Sequence, residues 1–167
     1  MAFVRCLAKA IVLAVLVPVV PQAIADDGIV GTWTLVSMTS ESTETREVSY
    51  PYGEHPHGQL ICTRGGHMQA IITVEGRKRF GANRFTASLE DQAEGFKTVN
   101  AIAGTYTLTD TGLIFHVEVA SIESWVGTDQ ARVTELAGDR LTIKTGPQPS
   151  PPDGRSRIVT LVWQRIE

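Results

Sequence analysis

Segments rich in β-branched and aromatic residues recur between glycine- and aspartate-bearing turns along nearly all of this chain, and that rhythm restricts it to an all-β architecture. Residues 29–39 (IVGTWTLVSMT) open the series, and 47–50 add a short strand before Pro51-Tyr52-Gly53. Residues 59–63 and 68–74 flank Arg64-Gly65-Gly66-His67, a hairpin signal. Residues 100–109 and 113–122 flank Asp110-Thr111-Gly112, and 131–136 and 140–144 flank Ala137-Gly138-Asp139. Residues 157–166 close the chain, giving about nine strands joined largely as sequential hairpins.

An open antiparallel sheet of that size leaves two edges of unpaired backbone groups, and closure removes both. Sequential hairpins suit an up-and-down antiparallel barrel of about 8–10 strands. A β-sandwich is the second choice, because sandwiches need long Greek-key crossings that hairpin order does not supply. A barrel of this size has a lumen filled by side chains or by one small ligand. One stretch breaks the pattern. In residues 86–98 (TASLEDQAEGFKT), Leu89, Ala93 and Phe96 share a helical face, and Ser88 with Asp91 forms a capping-box-like start. A short helix is expected there, weakened by Gly95.

The N-terminus reads as a targeting segment. Arg5 and Lys9 precede an uncharged run from Ala10 to Val20, too short for a transmembrane helix and interrupted by Pro18. Ala23-Ile24-Ala25 then forms an A-x-A cleavage site before Asp26. A signal peptide over 1–25 and a single domain over 26–167 are expected, with a periplasmic or secreted product and no stable membrane anchor once the segment is removed. Cleavage also removes Cys6, so Cys62 is left without an intramolecular disulfide partner and the core must carry the stability. About 140 residues suffice, since such a domain buries roughly two-thirds of its unfolded surface. The net charge of −3 offers no electrostatic footprint for nucleic acid.

Gly31-Thr32-Trp33 with Leu35-Val36 opens a set of motifs; Tyr50-Pro51-Tyr52-Gly53-Glu54, Gly104-Thr105-Tyr106, His116-Val117-Glu118 running on to Trp125-Val126-Gly127-Thr128-Asp129-Gln130, and Gly138-Asp139-Arg140-Leu141-Thr142 follow in order, closed by Leu161-Val162-Trp163. Together these residues resemble the bacterial lipocalin-like domain family, a small calycin-type barrel, over roughly residues 29–165. Gly31-Thr32-Trp33 is similar to the G-x-W start of lipocalins, whose tryptophan plugs the closed end. The likeness implies a barrel more firmly than an activity, and a structural pairing of Trp33 with Arg165. The signal segment, His55 and His57, and the basic run within 74–84 stand apart from the family pattern.

His116 and Glu118 are two apart on one strand and share a face; Phe115, Val117 and Val119 share the other. The family pattern favours the first face as the lumen side. An inward pair of this kind would need hydrogen-bonding partners, and it would serve acid–base chemistry or orient a ligand. Tyr50, Tyr52, Tyr106 and Trp125 lie near strand ends and suit a pocket mouth, since their rings are apolar and their tips polar. His55, His57 and His67 match no metal-ligand spacing, so no metal is expected, and no nucleotide-binding or catalytic-serine motif implies a cofactor. Arg77, Lys78, Arg79 and Arg84 read as a solvated loop or as a contact for a carboxylate-bearing ligand.

The leading expectation is an exported barrel that binds a small, largely apolar molecule in its lumen. The alternative is a cofactor-free isomerase, cyclase or hydratase that uses His116 and Glu118 as acid and base. A third is a protein-binding module with a filled lumen. Oligomeric state is not legible in the sequence.

Overall fold

Ten strands form one sheet in the computed structural model, which describes residues 28–81, 83, 85–149 and 154–167. The expected signal segment lies outside the described residues. In chain order the elements are β1 (Gly31–Ser42), β2 (Val48–Ser49), β3 (His57–Cys62), β4 (His67–Thr73), α1 (Leu89–Lys97), β5 (Val99–Thr109), β6 (Gly112–Ala120), a single 3₁₀ turn (Glu123–Trp125), β7 (Asp129–Ala137), β8 (Arg140–Thr145), β9 (Gln148–Pro149) and β10 (Ser156–Arg165). β2 and β9 are short flaps on β1 and β10. The other eight strands close into an antiparallel barrel when β10 returns to β1, pairing from Trp33↔Arg165 to Ser42↔Arg157. The hairpins expected around Gly66, Asp110 and Gly138 all form.

Two bulges decide which side chains enter the barrel. In β1, Leu35 pairs with Trp163 and Ser37 with Val162, so Val36 is the extra residue. Leu35 and Met38 are therefore both buried although three apart, and Val36 is turned outward. In β6, Val117 pairs with Gly104 and Val119 with Ala103, so Glu118 is extra. The side-chain alternation reverses beyond it, and Val119 ends up on the outer surface. Gly104 has a packing reason: a Cβ there would collide with the His116 carbonyl of β6.

The two ends of the barrel differ. Trp33 and Cys62 sit at the end carrying the Gly66, Asp110 and Gly138 turns, where both are buried. The longer connections gather at the other end: 43–56, 74–98 and 121–128. α1 belongs to this open end. Ser88 caps it by accepting from the Asp91 backbone N–H at 3.1 Å, as its sequence implies. Its apolar face is not buried, however; Leu89 and Phe96 are exposed.

A lumen open at one end

The core is built by alternation. Leu113, Phe115 and Val117 of β6, Leu141 and Ile143 of β8, and Trp163 of β10 point inward and are buried. Packing is tight around Trp33, which is fully buried and donates its Nε1–H to the Ile29 carbonyl at 3.0 Å. Toward the open end the side chains no longer meet. They leave a cavity of about 500 Å³, walled by Met38, Leu60, Met68, Ile102, Phe115, Ile143, Leu161 and Trp163. Its size falls in the range of small-molecule sites. The polar lining is sparse, chiefly Asn100, Asp129, Gln130, Arg132 and Thr145, with Trp125 on the 3₁₀ turn. The Trp163 Nε1–H and the Asn100 Oδ1 are buried without a protein hydrogen-bond partner among the described residues.

Arg132 is the cation of this site. It pairs in register with Leu113 and Thr145, both inward positions, so its side chain follows them into the lumen. Its Nη1 donates to the Ala131 carbonyl at 2.9 Å and its Nη2 to the Gln130 side-chain carbonyl. Burial pulls its guanidinium below the usual arginine range. Among the described residues no carboxylate pairs with it.

The expectation that His116 and Glu118 face the lumen is corrected by this geometry. The apolar side chains of β6 occupy the interior, because burying them is favourable while burying an imidazole and a carboxylate in their place would cost desolvation free energy. His116 sits on the outer wall between Thr107 and Asp129, its Nε2 2.9 Å from Thr107 Oγ1 and its Nδ1 2.7 Å from Asp129 Oδ1. Glu118 is exposed at the bulge. Neither lines the cavity.

The four aromatic candidates separate. Trp125 lines the cavity. Tyr52 packs against the core, and burial pushes its phenol up, offset in part by a hydrogen bond with Asn100 of the lining. Tyr50 is exposed beside β2. Tyr106 packs near the closed end and donates its hydroxyl to the Thr63 carbonyl at 3.0 Å, which gives it a structural position far from the mouth. His57 and His67 lie at opposite ends of the β3–β4 hairpin. Arg77 and Lys78 are engaged with α1. Arg77 donates to Thr98 Oγ1 and to the Gly95 carbonyl at the helix C-terminus, and Lys78 pairs with Asp91 at 2.8 Å.

Arg132, Gln130 and Asn100 were not read from the sequence as site residues. A signal existed in β7. Leu136 and Leu141 face each other across the Gly138 turn, and Leu136 inside fixes Thr134, Arg132 and Gln130 inside as well. The apolar Val133 draws the eye to the wrong face; it is exposed.

Residues 30–166 match the family model of the lipocalin-like domain. This chain belongs to the lipocalin-like domain family. No curated protein matches it. In this lipocalin-like protein the plug tryptophan of the resemblance is Trp33. The Arg165 guanidinium lies 4.0 Å from the centre of its ring, and Nη2 of the same group donates to the Gly28 carbonyl at 2.7 Å.

Proposed function

We propose that this lipocalin-like protein is exported and carries a small, largely apolar molecule in its lumen. One observation supports the reading above the others: a cavity of about 500 Å³ with mainly hydrocarbon walls, open at the end opposite Trp33. A barrel built only for stability gains nothing from leaving that volume unpacked, since lost contacts along a cavity wall cost stability. The ordered basic, apolar and A-x-A regions of the first 25 residues support export. The acid–base alternative required His116 and Glu118 inside the barrel, and their outward placement removes its geometric support.

The test is titration with N-phenyl-1-naphthylamine, a neutral apolar fluorophore. Saturable enhancement at one site per chain is expected, abolished by Ile102→Trp, which fills the cavity from β5. Native mass spectrometry of the protein recovered from the cell envelope should also show a bound small molecule. Absence of saturable fluorophore binding by folded protein overturns the reading.

A further inference from the structure

We propose that the lumen ligand is an amphiphile with a single anionic head, a carboxylic acid on an apolar body, and that Arg132 receives the head. This rests on the lumen reading above and names the chemistry of the occupant. Arg132 is half-buried in the open lumen, and a ligand filling that lumen strips the remaining water from its guanidinium, which is strongly unfavourable unless the ligand brings an acceptor. Arg132 has two acceptors, the Ala131 carbonyl and the Gln130 amide oxygen, both neutral. A guanidinium carries five N–H donors, so most of its fork is uncommitted.

The surroundings agree. Asp129 also borders the cavity, but its carboxylate is held by His116 at 2.7 Å and makes no ion pair with Arg132. Gln130 fixes the guanidinium orientation from the adjacent inward position of β7. Phe115, Ile143, Leu161 and Trp163 supply walls for an apolar body. Planar, bidentate presentation of two N–H groups is the geometry a carboxylate takes from arginine, and a lysine does not reproduce it. A wholly apolar ligand would leave the charge buried and uncompensated, so the site discriminates against it. Burial, which already holds the guanidinium below its usual pKa, strengthens the pairing once a carboxylate arrives.

The experiment displaces N-phenyl-1-naphthylamine with dodecanoate or with dodecan-1-ol, at a pH where the acid is ionised. The wild-type protein should bind dodecanoate at least about tenfold more tightly than the alcohol, the scale of one charge-assisted hydrogen-bond pair. In Arg132→Met the preference should vanish, each competitor's affinity being referred to that variant's own directly titrated fluorophore Kd. Arg132→Lys should restore only part of it. The melting temperature of ligand-free Arg132→Met should equal or exceed that of the wild type, because an uncompensated charge has been replaced by hydrocarbon of similar length. Equal affinity for acid and alcohol in a wild-type protein that binds the fluorophore overturns the head-group assignment and leaves the lumen reading intact. Undiminished acid preference in both variants overturns it equally. A large fall in the melting temperature of Arg132→Met together with retained preference in Arg132→Lys would make the arginine a structural brace, and the assignment fails.

Discussion

Arg165 stacks its guanidinium 4.0 Å from the centre of the Trp33 ring while the two residues face each other as a cross-strand pair of β1 and β10. The same guanidinium donates to the carbonyls of Val30 and Gly28 and reaches Asp139 at 3.3 Å. One side chain thus ties together the start of β1, the end of β10 and the β7–β8 turn, at the seam where the sheet closes. Its role follows from position: the seam joins the first and last long strands, so it is the contact with the greatest loop-closure cost.

Trp33→Ala should destabilise the protein by about 3–5 kcal/mol, the cost of a large cavity in a fully packed region. Arg165→Ala should cost about 1.5–3 kcal/mol, because two backbone carbonyls lose a charged donor. Arg165→Lys should recover little, since a point charge reproduces neither the stack nor the fork. Urea denaturation measures all three, and a wild-type midpoint for Trp33→Ala with an unchanged m-value would show that the closed end does not depend on its plug.

Most of the barrel was legible because its information is local. Hairpin turns and the Ser88 cap each occupy a few residues, and each formed where expected. The site was less legible because it depends on parity, and parity is set by bulges. Val36 and Glu118 each add one residue to a strand, and nothing in their own side chains announces it. On β6 the choice between the two faces turned on likeness to a family, whereas the hydrophobic contrast between Phe115 and His116 pointed the right way. On β7 the inward face of Arg132 follows only from the pairing of Leu136 with Leu141 across the Gly138 turn.

The outward placement of the β6 pair has a direct consequence. Glu118→Gln and His116→Gln should leave fluorophore and dodecanoate affinities within about twofold of wild type. His116→Gln should cost no more than about 1 kcal/mol of stability, as its bonds to Thr107 and Asp129 are partly solvated. A tenfold loss of ligand affinity in Glu118→Gln, with the fold intact, would place the pair back in the binding machinery.

Export is tested at the N-terminus. Sequencing of the protein recovered from the envelope or medium should read from Asp26, with Ala25 as the last residue removed. Ala25→Tyr should block processing, because a bulky residue replaces the small one the cleavage site requires. A mature product that retains Met1 would show that the apolar run is not a cleaved signal.

The buried thiol gives a pH signature. Cys62 is nearly inaccessible, and burial pushes its pKa up to about 12, with Arg165 acting weakly in the opposite direction. An unfolded chain ionises the same thiol near its ordinary value of 9.0. Below that pH both states hold the proton, so the group's contribution is fully present. Between about pH 9 and pH 12 the unfolded state releases the proton and the native state keeps it, so stability falls by about 1.4 kcal/mol per pH unit from this group alone. Tyrosines and lysines titrate in the same window, and comparison with Cys62→Ala removes their shared effect. The variant should be less stable near neutral pH, having lost a packed sulfur, and the difference from wild type should narrow steadily above pH 9. The thiol should also resist dithiobis(nitrobenzoate) in the native state and react at once in denaturant. A stability difference that stays constant from pH 7 to pH 11, or rapid labelling of native protein, would mean that the closed end opens around Cys62 and that the Trp33–Arg165 seam does not seal it.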